Sequence, residues 1–480
     1  MQAEESVNVV VVGGGAAGLA AAVAAESRGL TCQVLEARNR LGGRVFTTSL
    51  SDDERFDRGA QMVNADMVSV LELAEAANLP ISPIPGTGTS LSVIGNDVYR
   101  NDELISAEEI YEVLDGVIVS YATPEEKLDA VRQKLTWWTT PWESPGEAWR
   151  WLRWVFQPSE APAQSIAAAL EASLLCREDH ALARSIVTEG YSAAPEDLDA
   201  RALRIAMRRE TSDRSDTEFQ FPDGMGGIVD YLSSRLHHVP RLRTAVSEVK
   251  VGARHVDITT NCGKWRADAV IVTAPPPAAR RITFLSERAD ELSELLASFQ
   301  TGAVIKMQLS YRHAFWRRRG LSGSAVFSDP AGMAVVDTSL DTGAPPRLTA
   351  FLGGPEARIW AALPADQRRR RLVSHLSRAF GSDAQRPTRI VEAACIDDMW
   401  SGGGYNATVR VGDVHDAALR LSRWSGRLRF AGAELGAHFA GYVEGAIRSG
   451  REAAENLANE LAALEERPRY LGEQGAGETH

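Results

Sequence analysis

Two groups of residues in this 480-residue chain have the types and spacing to do chemistry. The first is Gly13, Gly15 and Gly18, a GxGxxG that follows the β-branched run Val7–Val12 and opens the alanine-rich stretch Ala16–Ser27. A strand–turn–helix of this kind cradles a pyrophosphate. Gly13 permits the tight turn, Gly15 lets backbone approach the phosphates, and Gly18 lets the helix pack on the strand. The helix N-terminus offers free N–H groups and the positive end of its dipole. A second predicted strand, Thr31–Leu35, ends in Glu36, placed 18 residues past Gly18 to accept ribose hydroxyls. An acid there disfavours a 2′-phosphate. The second group is one lysine. Only five of the 52 basic residues are lysines, and four of these lie in polar or charged surroundings. Lys306 lies within the apolar, strand-like run Thr301–Leu309. An interior ammonium is costly without a partner or a role, and a cation so placed can stabilise negative charge developing beside it.

Elements must position these groups, and composition bounds them. A chain of this length exceeds one ordinary core and predicts two domains, three at most. With a net charge of −12 there is no basic field to neutralise nucleic-acid phosphates. Cys32, Cys176, Cys262 and Cys395 are far apart, which argues against a disulfide framework or a zinc site and for a reducing compartment. Met1–Ser6 is polar and acidic, unlike a signal peptide. Val7–Ala25 is nearly all apolar, but three consecutive glycines fit strand–turn–helix better than a membrane span. A cytoplasmic protein with no metal, nucleic-acid or membrane partner is expected. The excess of Arg and Ala over Lys suggests a GC-rich, bacterial genome.

Past Glu36 the sequence continues Ala37-Arg38-Asn39-Arg40-Leu41-Gly42-Gly43-Arg44. This extension resembles the FAD-binding signature of the flavin amine oxidase family, whose members include monoamine oxidases, polyamine oxidases and L-amino-acid oxidases. Asp57-Arg58-Gly59-Ala60-Gln61-Met62 is similar to the segment that lies near the flavin ring in that family. Phe221–Gly227, Thr244–Val249 and Ala269–Pro276 (the last two read as strands, Ala269–Pro276 ended by its prolines), then Arg427–Glu434 and Gly441–Ile447, continue the resemblance in the family's order, to about residue 460. It implies an α/β protein: a Rossmann-like FAD-binding domain (1–79, 220–285 and 395–466) with an inserted substrate-binding domain (80–219 and 286–394). Residues 467–480 read as a flexible tail. The FAD contacts it implies are Gly13, Gly15, Ala17, Gly18, Glu36, Ala37, Arg38, Gly43, Arg44, Gly59, Ala60, Gln61, Met62, Val246, Glu434 and Val443. Arginines of the LGGR segment would approach the pyrophosphate, and Val246 would meet the adenine through its backbone.

The resemblance also implies the reaction. Gly302–Trp316 is similar to the family stretch whose lysine reaches flavin N5 through a water, which assigns that role to Lys306. Tyr405, in WSGGGYN, and Tyr442, in HFAGY, match the family's aromatic pair flanking the amine. Two π faces make a slot that attracts positive charge, and an apolar slot favours the neutral amine needed for hydride loss. The expectation is an oxidase: hydride leaves a C–H beside nitrogen of a small amine, amino acid or amide, an imine forms, and O₂ becomes H₂O₂. Gly404 stands where monoamine oxidases carry the cysteine bonded to flavin, so the FAD should be non-covalent. A tryptophan common nine or ten residues before the first tyrosine is replaced by Cys395 and Ile396. A biosynthetic oxidase coupled to ring closure, as in lankacidin-type macrocycle formation of antibiotic pathways, and an FAD-dependent desaturase of the same fold remain alternatives, and a homodimer is left open. Six tryptophans between Trp137 and Trp154 predict a packed core, a subunit interface or an entrance wall. The runs Arg317–Arg319 and Arg368–Arg371 predict solvated faces, and His438 a packed core histidine.

Overall fold

Val9, Val10 and Val11 are fully buried, as a β-branched run covered on both faces should be. The computed structural model describes residues 5–51, 54–119, 165–173, 175–212, 214, 215, 217–341 and 343–465. The Trp137–Trp154 cluster and the tail 467–480 lie outside the described residues. Glu5–Val12 forms a parallel pair with Cys32–Leu35 on one side and with Gly263–Val272 on the other. Gly263–Val272 then passes from Val256–Thr260 to a parallel pairing with Leu428–Phe430. Val246–Val251 and Thr283–Leu285 complete a seven-stranded sheet. Helix Ala16–Ser27 lies against it and packs on the long helix Val443–Glu465.

A second seven-stranded sheet has the order Arg389–Cys395, Val304–Ser310, Arg347–Gly353, Met333–Asp337, Leu321–Phe327, Thr89–Ile94, Asp97–Arg100. Its strand Val304–Ser310 is buried at every position and lies antiparallel to both neighbours, with Lys306 opposite Phe351 and Ala393. Trp316, Trp360 and Phe380 fill the core on this sheet. Helices Ala107–Val119, Ile166–Glu171, Arg177–Tyr191 and Ala200–Met207 share a further core. The α/β class is as expected.

Several local expectations need correction. The strand predicted at Thr244–Val249 runs over Val246–Val251, because Thr244 N–H donates to Glu36 O and Ala245 N–H to the Asn261 side chain. The apolar run ending at Pro276 stops as a strand at Val272, and Pro276–Ala279 begins a short helix. The arginine runs are not wholly solvated. Arg317 bonds the buried Asp337, and Arg368 forms a half-buried pair with Glu392. His438 is exposed rather than core.

Candidate active site

Both sheets contribute to one cavity of about 1380 Å³, larger than the roughly 300–1,000 Å³ that holds a drug-sized ligand. At one end lies the glycine turn. Gly15 is the N-cap of helix Ala16–Ser27, with no side chain capping it and no acid in the first turn, so the helix start is left open to an anion. A Cβ on Gly15 would have no atom nearer than 4.0 Å, so that space belongs to a ligand. Glu36 is buried beside it, accepting from Gly14 N–H at 2.7 Å and Arg38 N–H at 2.8 Å. These bonds fix a carboxylate at the rim of the cradle. Gly13, Ala17, Ala37, Arg38, Gly43 and Val246 line the same cavity. Gly18 does not. A Cβ there would lie 1.9 Å from Gly13 O, so Gly18 serves helix–strand packing and not ligand contact.

The arginines are committed to protein partners. Arg38 Nη2 bonds Asp398 at 2.5 Å and Ser401 Oγ at 3.2 Å. Arg44, partly buried, forms a two-pronged pair with the buried Glu434 at 2.6 and 3.0 Å, and also donates to Tyr405 O at 2.8 Å. Glu434 in turn accepts Ala407 N–H at 2.9 Å. Two residues predicted separately as cofactor contacts thus neutralise each other and clamp the backbone on either side of Asn406. The pair raises the Arg44 pKa and holds the Glu434 carboxyl low, in each case against burial. Both still line the cavity, with Val443.

Farther in, Gly59, Ala60, Gln61 and Met62 line the wall. Lys306 is buried, and its Nζ donates to Gly59 O at 3.1 Å between the rings of Phe56 and Phe351, 5.7 and 5.6 Å from their centroids. Burial lowers its pKa from 10.5 to about 8, with the charge of Asp57 opposing the fall. Asp57 is itself buried, with its pKa raised by that burial. Its carboxylate accepts from Thr47 Oγ1 and from Met225 N–H. Asp57 was visible as part of a motif but not as the counter-charge of the lysine, because nothing in the spacing links it to Lys306.

Tyr405 and Tyr442 also line the cavity. Tyr405 Oη donates to Glu189 at 2.9 Å and its ring meets Phe351 at 6.2 Å. Tyr442 Oη donates to Glu210 at 2.6 Å and its ring meets Phe439 at 6.2 Å. Neither glutamate belongs to a motif, so no sequence signal marked them. Cys395, also on the wall, has a thiol pushed up by burial. The buried Asn406 Oδ1, Thr408 Oγ1 and Gln61 Oε1 have no partner among the described residues, and all three residues line the cavity. Orphaned acceptors, an open cradle and a fixed acid together fit a dinucleotide that carries a flavin.

The family model for flavin containing amine oxidoreductase matches residues 16–458. The chain belongs to this family. It is an FAD-dependent enzyme that oxidises amines. Among its relatives, a flavin-containing amine oxidase of Oncorhynchus mykiss is 25% identical, over 97% of this chain and 88% of that protein. An L-amino acid dehydrogenase of Synechocystis sp. is 25% identical over 95% and 96%, and a putrescine oxidase of Kocuria rosea 26% over 94% and 95%. The fold is also that of cyclohexylamine oxidase from Brevibacterium oxydans, with a TM-score of 0.79, 22% identity and coverage of 95% and 99%. Among the described residues, no helix is long and apolar enough to cross a membrane and no group of His, Cys, Asp and Glu could hold a metal.

Proposed function

We propose that this chain is an oxidase of small amines that holds FAD without a covalent bond and passes the electrons to O₂, giving H₂O₂. The observation that carries this reading is Lys306: a buried ammonium on the wall of a cavity whose far end is a nucleotide cradle. When bound, FAD supplies a two-electron acceptor for hydride from a C–H beside nitrogen. Gly13, Gly15, Glu36, Val246 and the wall Gly59–Met62 would hold it, with Glu434 and Arg44 ordering the chain around it. Tyr405 and Tyr442 orient the amine, whose neutral form carries the lone pair that assists hydride loss. Lys306 holds a positive charge where negative charge accumulates, and can place a water or O₂. Gly404 supports non-covalent binding, and the one thiol on the cavity wall among the described residues, Cys395, is pushed up by burial and donates to Arg58 O. Two separate seven-stranded sheets support a division into a flavin-binding domain and an inserted substrate-binding domain. A cytoplasmic bacterial setting suits four free cysteines.

The test is a screen of amines, amino acids and N-acyl compounds for peroxide release, run beside an artificial electron acceptor. Peroxide formed with an amine supports the oxidase reading. Turnover with the artificial acceptor alone would make this a dehydrogenase, as the Synechocystis relative is named.

A further inference from the structure

Resting on the reading of Tyr405 and Tyr442 as the substrate slot, we infer that Glu189 and Glu210 are positioning residues that fix the two rings. Each phenol donates to one carboxylate, at 2.9 and 2.6 Å. A bond to an ionised acceptor is roughly twice as strong as a neutral one. It restrains the ring from its polar end while Phe351 and Phe439 pack against its face or edge.

The Glu189 backbone is tightly packed, whereas Glu210 is exposed and is tied down through Arg209. Glu189 is in the last turn of helix Arg177–Tyr191, which ends at Ser192 in the left-handed conformation, φ 53°. That turn is wedged between strands. A Cβ on Gly353 would lie 3.1 Å from Glu189 Cα, and Cβ atoms on Gly302 and Gly404 would lie 2.7 and 3.0 Å from Ser192 Cβ. Ser192 O also accepts Ala303 N–H at 2.9 Å. The helix end is therefore seated on the segment leading to Lys306 and on the one leading to Tyr405. Glu210 follows helix Ala200–Met207 and is held by its neighbour. Arg209 Nη1 donates to Glu434 O at 3.2 Å and Gly436 O at 3.1 Å, in the stretch just before Tyr442. Both rings come from the C-terminal flavin-binding segment, yet both hydroxyl anchors come from the first insertion, Glu189 from a helix and Glu210 from the residues that follow one. Slot orientation is thus set by the insertion, and changes in these two helices can retune the slot without touching the flavin cradle.

Holoenzyme carrying fluorotyrosine at its nine tyrosines tests this by fluorine NMR, with the two resonances assigned through Tyr405→Phe and Tyr442→Phe. Glu189→Ala should move the Tyr405 resonance and leave Tyr442 in place, and Glu210→Ala should do the reverse. Glu189→Gln, which still offers an acceptor, should stay near wild type. In anaerobic flavin bleaching with cyclohexylamine and putrescine as probes, Glu189→Ala and Tyr405→Phe should each cost about tenfold, and the double variant no more than the worse single. Unmoved resonances would overturn the assignment. So would losses that multiply in the double variant, or a Glu189→Ala loss confined to putrescine, which would make Glu189 a direct ammonium ligand. The NMR result does not depend on turnover. Failure of both amines to bleach the flavin would count against the oxidase reading and leave the ring assignment to the resonances.

Discussion

Raising the pH through about 8 should slow reoxidation of the reduced enzyme by O₂, because Lys306 loses its charge in that range. Burial brings its pKa from 10.5 down to about 8, with Asp57 and Cys395 raising it and Arg347 lowering it. One unit above the midpoint only about a tenth of the ammonium remains, so the rate should fall roughly tenfold for each further unit. Stability should move the other way. The unfolded chain keeps the lysine near its ordinary value. Between about pH 8 and 10.5 it therefore binds more protons than the folded protein, and stability rises with pH by about 3 kcal/mol across that window. Lys306→Met removes both dependences, leaving slow, flat reoxidation. The assay is stopped-flow mixing of anaerobically reduced enzyme with oxygenated buffer, beside thermal denaturation at each pH. The reductive step is avoided because the substrate amine titrates in the same range. A wild-type reoxidation rate flat across this range, or the same inflection in Lys306→Met, would refute the reasoning.

Other outcomes follow from the same geometry. Gly15→Ala should leave the melting temperature of the apoprotein unchanged while weakening FAD retention, because its Cβ enters only ligand space. Gly18→Ala should destabilise the apoprotein itself, because its Cβ would strike Gly13 O at 1.9 Å. Differential scanning calorimetry and flavin titration separate the two. Glu434→Gln leaves the partly buried Arg44 without its counter-charge, and chemical denaturation should show a loss of about 1–3 kcal/mol. Acid precipitation should release all the FAD into the supernatant. Flavin that stays with the pellet would contradict a non-covalent site.

The parts of the site legible in the sequence are those built by local rules. Gly13, Gly15 and Glu36 sit on one strand–turn–helix–strand unit, so their spacing alone places them. Lys306 stood out because an apolar strand rarely carries a lysine. The partners of these groups were not legible, because tertiary contacts join them. Asp57 meets Lys306 across 249 positions of sequence, Arg44 meets Glu434 across 390, and Tyr405 meets Glu189 across 216. A motif states what each segment is, and not which other segment it will face. Gly18 illustrates the converse. It belongs to the ligand motif by spacing but serves packing. His438 was misplaced because a histidine beside Phe439 carries no pattern that separates a buried position from an exposed one.

The most direct measurement is an anaerobic titration of the purified, FAD-loaded protein with a panel of primary and secondary amines, followed by flavin absorbance and by product analysis. The account predicts that at least one amine bleaches the flavin fully, yields its imine or the hydrolysed carbonyl in equal amount, and regains colour with H₂O₂ when O₂ is admitted. A folded, FAD-loaded protein whose flavin stays oxidised with every amine would contradict it.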